Sequence, residues 1–305
     1  MRAAVRILVF GAGAIGSFFG GLLSTRHDVT LVARPVHAAA IRAHGLRISG
    51  KTARIARPEA HTKVPRGVRP ELVLVATKAY DTAAAMSALL PFGPKALFVT
   101  LQNGLDNGDV IARSARRVVV GTTAHGVTLV GPGEVRHAGV GDTVIGPWAH
   151  VDASQLVRLR DLFEDAGIPT RVASDIRTEL WAKAIVNGAI NPLAALAGVP
   201  NGRLVRDKGL LASLEAIARE SADVARAEGA AVNPDEIVRR TVLVARRTAA
   251  NRCSMLQDLD RGRRTEIDAI TGAIVAAARR HGLPVPRSET LQALVRAREG
   301  AIRLA

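Results

Sequence analysis

Three polar side chains stand alone in an otherwise apolar stretch of the second half of the chain. Between Leu180 and Leu193 these are Lys183, Asn187 and Asn191, each four residues after the last. An α-helix turns about 100° per residue, so their directions span only about 80° and form one narrow stripe. A helix that is apolar on its other sides is normally buried, and a buried lysine needs a partner or a chemical function. The pattern predicts a polar ligand site or, alternatively, a thin solvent-facing stripe.

A lysine in such a site could stabilise negative charge that develops on a ligand oxygen and supply a proton to it. Partial burial lowers the pKa of a lysine toward neutrality, which suits both tasks. Pro192 follows the stripe directly. Because proline has no backbone N–H, we expect it to interrupt the helix at this point.

A second concentration of polar residues lies at Ser254–Asp268, SMLQDLDRGRRTEID. Thr265 and Asp268 could cap a helix there, with Glu266 as an acid in its first turn. Glu266 is then an ordinary acid at a helix start. The alternative is that it holds Lys183 or binds a hydroxyl group of the ligand.

A glycine-rich turn, GAGAIG at positions 11–16, follows the apolar strand-like run VRILVF and opens a helix-like segment. In a dinucleotide-binding turn the first glycine permits the bend, the second admits a pyrophosphate and the third lets the helix pack closely. The helix N-terminus adds free N–H groups and a partial positive charge. The alternative is a glycine-rich turn without a ligand. We expect a dinucleotide site formed by Gly11, Gly13, Ala14, Ile15 and Gly16.

The end of the second predicted strand, Asp28–Ala33, indicates which nicotinamide cofactor is preferred. NAD sites usually place Asp or Glu there to hold the ribose 2′-hydroxyl, whereas this chain has Arg34 and no neighbouring acid. An arginine pairs well with a 2′-phosphate, which an acid would repel. We therefore predict a preference for NADPH/NADP+.

Polar residues also follow two further predicted strands, Leu72–Ala76 and Ala96–Leu101. Lys78 comes after the first, and Gln102 and Asn103 come after the second. Ligands bind at the carboxyl ends of the strands of a parallel sheet, so these residues could contact cofactor or substrate. Each of them could instead be an ordinary loop residue.

Strands and helices alternate in the first half of the chain, which predicts a parallel sheet with right-handed crossovers. From Val118 short β-like runs predict antiparallel strands that extend this sheet. After Ser174 the pattern becomes helical. The predicted fold is a Rossmann-type dinucleotide-binding domain over residues 1–173 and a helical substrate domain over residues 174–305. We expect close packing of the two, with a ligand in the cleft between them.

Composition narrows the possible functions further. The 305 residues are 48% hydrophobic and 23% charged, which is typical of a globular chain. The formal net charge of +15 comes without clustered charge or aromatic platforms, and aromatic residues make up only 3%. We therefore expect no nucleic-acid partner. The single cysteine and eight histidines show no metal-ligand spacing, so no metal is expected.

The apolar run Val5–Leu23 raises the alternative of a signal peptide or a membrane span. Its five glycines and the break at Gly11 argue against both. We therefore expect a cytoplasmic chain with no membrane partner.

The chain resembles the ketopantoate reductase (2-dehydropantoate 2-reductase) family over nearly its whole length. The resemblance rests on motifs in both halves: GAGAIG at 11–16, Arg34, TKAYDT at 77–82, LQNG at 101–104, PGEVRHAG at 132–139, KAIVNGAINPLAAL at 183–196, PNG at 200–202, SMLQDL at 254–259 and GRRTEID at 262–268. One departure is Gly188, where the family pattern leads us to expect a small residue such as cysteine.

The resemblance implies NADPH-dependent reduction of a 2-keto acid, as in pantothenate biosynthesis, and a helical domain like that of 6-phosphogluconate dehydrogenase. It makes Lys183 the catalytic lysine and Glu266 the catalytic or orienting acid. It places Lys78 on the cofactor side, and Gln102 and Asn103 are further candidates for binding the cofactor. The residues it implies for substrate binding are Asn103, Lys183, Asn187, Asn191, Asn201, Ser254 and Glu266.

The sequence is also compatible with other functions. A paralogous enzyme could act on another branched 2-keto acid, a 3-hydroxy acid or an opine-type imine. A regulator could bind NADP(H) without turnover, although this leaves the lysine stripe unexplained. The expected partner is a small 2-keto acid, and the expected assembly is a monomer or a homodimer.

Overall fold

A computed structural model describes residues 4–304, with side chains as far as Ala301; residues 1–3 and 305 of the predicted domains lie outside it. The chain divides into two compact units. The first unit extends to Gln102 and resumes from Asn107 to Ile176. The second unit consists of Asn103–Asp106 and the chain from Arg177 onward.

The first unit is built on an eight-stranded sheet. In order across the sheet, the strands are β12 (Thr170–Val172), β11 (Thr143–Ala149), β8 (Arg117–Thr123), β7 (Leu97–Thr100), β6 (Leu72–Val75), β1 (Arg6–Phe10), β2 (Asp28–Val32) and β5 (Glu59–His61). All neighbours pair in parallel except β8 and β11, which are antiparallel. The strand β6 is buried along its whole length, as expected for a parallel strand covered on both faces.

The helices of this unit connect the strands. They are α1 (Ala14–Leu23), α2 (Pro35–His44), α3 (Thr82–Leu89), α4 (Asn107–Ala112) and α5 (Ala153–Asp165). The aromatic side chains of Phe18, Phe19, Phe98 and Phe163 are fully buried in its interior. The alternation of strands and helices confirms the predicted Rossmann-type class.

A second sheet of four strands also belongs to the first unit. Its order is β4 (Arg54–Ala56), β3 (Leu46–Gly50), β10 (Glu134–Gly139) and β9 (Gly126–Gly131). We expected the strands after Val118 to extend the main sheet, and for the β9–β10 hairpin this was wrong. The hairpin pairs with β3 because Val135, Leu46 and Ile48 all bury apolar side chains in the core that contains α1. The strands β3, β4 and β5 were not predicted, because each is short and partly exposed.

The second unit is helical, as predicted, and its described residues contain no strand. Its helices are α6 (Ile176–Ala197), α7 (Asn201–Leu204), α8 (Lys208–Ala227), α9 (Pro234–Arg247), α10 (Ser254–Asp260), α11 (Ala273–Arg280) and α12 (Pro286–Leu304). A π-helical turn, Asp268–Gly272, directly precedes α11. Such turns insert one extra residue into a helix and often occur at functional sites.

The prediction that Pro192 interrupts its helix was wrong, because Pro192 lies inside α6, which is 22 residues long and ends only at Ala197. Proline inside a helix costs about 3 kcal/mol. The helix bears this cost because its flanking residues Ala189, Ile190, Ala194 and Ala195 are buried in the core of the second unit. The helix α6 is long and apolar enough to cross a membrane, but 72% of its most apolar window is buried in the protein. Most of this helix therefore lies in the core of the second unit.

Candidate active site

The lysine of the polar stripe lies in the first half of α6, with most of the helix around it buried. Part of the Lys183 side chain remains accessible to solvent, as does part of Asn187, while Asn191 is buried. Removal from water lowers the pKa of Lys183 to about 8, and the negative charge of Glu266 acts in the opposite direction. At pH 7 the ammonium form therefore predominates, with a proton that leaves far more easily than that of a surface lysine.

Glu266 lies two residues before the π-helical turn and is only 7% exposed. Its backbone carbonyl accepts a hydrogen bond from the N–H of Ile270. The Thr265 hydroxyl caps this segment by accepting from the N–H of Ile267 at 3.1 Å. The predicted contribution of Asp268 to the cap was wrong.

The carboxylate of Asp268 instead binds α12, where Gln292 donates to it at 3.0 Å and Arg296 at 2.7 Å. Arg264 lies 3.6 Å away from its second oxygen. Two cationic partners stabilise a carboxylate more than one backbone N–H would. This attachment leaves Glu266 as the acid of the GRRTEID motif that approaches the lysine.

Asn103 joins this group through a side-chain contact. Its amide Nδ2 donates to Oε2 of Glu266 at 3.2 Å, and the segment Asn103–Asp106 groups with the second unit. The second unit therefore brings together an ammonium, a carboxylate and an amide. A cation beside a buried carboxylate can bind the oxygen of a polarised carbonyl, stabilise negative charge on it and donate a proton.

Two other predicted substrate residues have different surroundings. Ser254 is the exposed first residue of α10, next to Cys253, whose thiol donates to the Asn191 carbonyl at 3.5 Å. Asn201 is buried at the start of α7, and its amide donates to the Thr248 hydroxyl at 2.9 Å. The buried side-chain oxygen of Asn201 has no hydrogen-bond partner among the described residues.

The glycine-rich turn has the form of a phosphate cradle. Gly11 has φ +98°, and a Cβ atom on it would lie 2.6 Å from the Thr77 nitrogen. A Cβ on Gly16 would lie 2.4 Å from the Gly11 carbonyl oxygen, so this glycine lets α1 approach the turn. At Gly13, in contrast, a Cβ would have no neighbour within 4 Å in the described part of the chain, where no side chain caps the helix either. The first N–H groups of α1 thus border open space, and these residues fit a bound pyrophosphate.

Two cations follow the carboxyl ends of neighbouring strands. Arg34 is exposed and lies two residues after Val32, whose register partner on β5 is His61. Lys63, also exposed, lies two residues after His61. Sequence analysis missed Lys63 because β5 has only three residues and no apolar pattern.

Gln102 uses its side chain inside the first unit. Its amide nitrogen donates to the Thr77 carbonyl at 2.7 Å and to the Thr82 hydroxyl at 2.9 Å, and its amide oxygen accepts from the Thr100 hydroxyl. These bonds tie the end of β7 to the loop after β6. Lys78 lies in that loop, at the start of a short 3₁₀ turn.

Comparison with known proteins gives the same family for both halves of the chain. Residues 7–150 match the family model described as ketopantoate reductase PanE/ApbA, and residues 175–299 match the model of its C-terminal domain. A 2-dehydropantoate 2-reductase of Halobacterium salinarum is 40% identical over 298 residues, which cover 96% of this chain and 98% of the relative.

Two solved structures extend the likeness to three dimensions. A ketopantoate reductase of Ralstonia eutropha has a TM-score of 0.90 and 36% identity, covering 98% of this chain and 99% of that one. A ternary structure of D-mandelate dehydrogenase with NADH and anilino(oxo)acetate has a TM-score of 0.93 and 26% identity. The match covers 98% of this chain and 99% of that one.

Proposed function

The chain belongs to the ketopantoate reductase family, and we propose that it reduces 2-dehydropantoate to (R)-pantoate with NADPH. It is an NADP-dependent oxidoreductase that acts on a CH–OH group of a small acid. This activity places it in the biosynthesis of pantothenate and coenzyme A. The observation that carries the chemistry is the group formed by Lys183, Glu266 and Asn103.

Lys183 is the catalytic residue of this proposal. The bound cofactor supplies a hydride to the keto carbon, so negative charge develops on the carbonyl oxygen. The ammonium of Lys183 stabilises that charge and then donates the proton that completes the hydroxyl group. A pKa of about 8 suits the task, because the group is mostly protonated at pH 7 and still releases its proton readily.

Glu266 and Asn103 support the lysine. The charge of Glu266 keeps Lys183 protonated against the desolvation that acts on it. The hydrogen bond from Asn103 holds the carboxylate in place, so the second oxygen of Glu266 can hold the lysine or accept from a substrate hydroxyl. We assign the hydroxyl end of the substrate to Asn187 and Asn191.

In this proposal Ser254 and Asn103 bind the carboxylate end of the substrate. Asn201 has a buried oxygen with no hydrogen-bond partner among the described residues, which supports a polar ligand or an ordered water at that position. Each of these assignments can be tested by substitution, because removal of an amide or hydroxyl that binds the substrate should raise KM for the keto acid.

The cofactor site follows from the first unit. The open space at Gly13 and the uncapped N–H groups of Ala14, Ile15 and Gly16 accommodate the pyrophosphate. Arg34 binds the 2′-phosphate, and Lys63 adds a second positive charge at the same edge of the sheet. Lys78 lies after β6, on the cofactor side, in this proposal.

The remaining features of the proposal concern the setting of the enzyme. A cytoplasmic location fits a chain with one cysteine and a soluble fold, and the expected assembly is a monomer or a homodimer. Both ligands are anions, and the net charge of +15 favours their approach.

A second candidate substrate class comes from the likeness to D-mandelate dehydrogenase. By analogy, the same lysine chemistry would reduce a different 2-keto acid, with NADH in place of NADPH. The deciding experiment measures kcat/KM for 2-dehydropantoate and for a panel of aliphatic and aromatic 2-keto acids with each cofactor. The proposal expects the highest value for 2-dehydropantoate with NADPH. A preference for an aromatic keto acid would favour the second candidate, and tight NADPH binding without any turnover would favour a sensor.

A further inference from the structure

A chain of buried hydrogen bonds ends at the glycine-rich turn of the first unit. The backbone N–H of Gly133 lies 2.9 Å from Nδ1 of His37, and Nε2 of His37 lies 2.9 Å from the Ser17 hydroxyl. That hydroxyl lies 3.1 Å from the carbonyl oxygen of Ala12. His37 is 6% exposed and Ser17 is fully buried, so water does not compete for these bonds.

The two groups at the ends of this series of hydrogen bonds, the Gly133 N–H and the Ala12 carbonyl, determine the direction of every bond in it. Gly133 N–H can only donate, so Nδ1 of His37 is the acceptor, and the neutral ring carries its proton on Nε2. The ring therefore donates to Ser17, and the Ser17 hydroxyl donates to Ala12, whose carbonyl can only accept. Burial lowers the pKa of His37, which favours this neutral form at pH 7.

The terminal carbonyl belongs to the peptide group between Ala12 and Gly13. The N–H of the same peptide donates to the Gly11 carbonyl at 2.7 Å, and the Ala12 N–H donates to the Val32 carbonyl at 2.9 Å. Ser17 supplies the bond that holds the carbonyl side. With it, the orientation of this peptide is determined at the position where Gly13 borders open space.

We propose that His37 and Ser17 are positioning residues that hold the phosphate-binding turn in its binding conformation, with the β9–β10 hairpin as their anchor. This inference rests on the proposed function, because it assigns the turn to the cofactor. Gly133 is a rigid anchor, since its carbonyl accepts from the Arg47 N–H at 2.8 Å while its N–H holds His37. Preorganisation of this kind raises affinity by lowering the ordering cost of binding.

The pyrophosphate is common to both nicotinamide cofactors, so the proposal makes a distinctive prediction for their dissociation constants. Loss of the bond to Ala12 should raise the dissociation constants of NADPH and NADH by the same factor, about five- to tenfold for one buried neutral hydrogen bond. An effect through Arg34, three residues before His37 on the same segment, would instead weaken NADPH alone.

Three substitutions separate the hydrogen bond at Gly133 from the hydrogen bonds at Ser17. Ser17→Ala removes the donor to Ala12. His37→Asn keeps an oxygen that can accept from the Gly133 N–H, but its side chain is too short to reach Ser17. His37→Gln has the opposite effect, because its amide N–H reaches the Ser17 hydroxyl while the acceptor for Gly133 is lost. Ser24→Ala is the matched control, because Ser24 also donates to a carbonyl within α1, that of Gly21, at the other end of the helix.

The test measures Kd for NADPH and for NADH by fluorescence titration of the full chain. We expect Ser17→Ala and His37→Asn to raise both constants equally. His37→Gln, which keeps the bond to Ser17 and loses only the anchor at Gly133, should raise both constants by a smaller factor, and Ser24→Ala should stay within about threefold of the parent. The proposal is overturned if Ser17→Ala and His37→Asn bind normally, if only NADPH is weakened, or if His37→Gln binds as poorly as His37→Asn.

A second measurement needs no variant to fold. Nitrogen NMR of histidine-labelled parent protein at pH 7 should show His37 as the neutral form with its proton on Nε2; the other tautomer or the cation would overturn the proposal. Failure of the proposed function is distinguishable, because the parent protein would then not bind NADPH at all.

Discussion

The side-chain amide of Asn103 donates a hydrogen bond of 3.2 Å to Oε2 of Glu266, 163 positions further along the chain. The same carboxylate opposes the desolvation that lowers the pKa of Lys183 to about 8. The three residues therefore act as one electrostatic group, in which a change at any member alters the others.

Lys183→Ala should lower kcat at least about 100-fold, the typical minimum for loss of a general acid, with little change in the Kd for NADPH. Steady-state rates and cofactor titration check this. Lys208→Ala is the matched control, because Lys208 is an exposed lysine at the start of α8. Turnover of Lys183→Ala close to that of the control would remove the lysine from the mechanism.

The rate of reduction should depend on pH through Lys183. A general acid works only while protonated, so kcat/KM for the keto acid should be level below, and fall above, about pH 8. Glu266→Gln removes the charge that raises the lysine pKa, so the fall should begin at lower pH. A profile that moves to higher pH in Glu266→Gln contradicts the assignment.

Arg34→Asp should change the choice of cofactor. A charge-assisted contact to phosphate contributes about 1.5–3 kcal/mol, so kcat/KM with NADPH should fall about 10- to 100-fold more than with NADH. Arg54→Asp, a change of the same charge at an exposed position of β4, controls for the general field. Equal losses with the two cofactors would separate Arg34 from the 2′-phosphate.

Gly188→Ala should raise the free energy of unfolding by about 0.5–1 kcal/mol, because alanine favours a helix interior. The new Cβ would lie 3.2 Å from Cδ1 of Ile274, the flexible end of a side chain that can shift by a few tenths of an ångström. Urea unfolding measures the change. Gly16→Ala is the contrasting variant and should destabilise, since its Cβ would lie 2.4 Å from the Gly11 carbonyl oxygen. A lower unfolding free energy for Gly188→Ala would show that Ile274 cannot move.

Acid should destabilise the first unit through a buried histidine pair. Nδ1 of His125 lies 3.0 Å from Nε2 of His137, and burial, followed by the neighbouring His137, lowers the pKa of His125 to about 4. A histidine with a lowered folded pKa stabilises the fold above its unfolded pKa of about 6.5, and this stability is lost as pH falls toward about 4.

The free energy of unfolding should thus be lower at about pH 5 than at about pH 7.5, and His125→Gln should reduce this difference because it cannot be protonated. His37 also has a lowered pKa, so part of the dependence should remain in the variant. An unchanged pH dependence in His125→Gln would exclude His125 as its source.

Much of the fold was predictable because its signals are local. The turn at 11–16 between an apolar strand and a helix, and the change to helical periodicity after Ser174, both lie within windows of about twenty residues or fewer. The stripe of Lys183, Asn187 and Asn191 is local too, since helical geometry alone places the three on one side of α6. The family motifs added the role of the lysine, which spacing alone left open.

Other features depend on residues far apart in the chain, and only the tertiary structure decided them. The β9–β10 hairpin left the main sheet because β3, some ninety residues earlier, offers a partner and a shared apolar core. Pro192 stays within α6 because the core of the second unit outweighs its local cost. Asn103 meets Glu266, and His37 meets Ser17 and Gly133, through single contacts that leave no periodic pattern in the sequence.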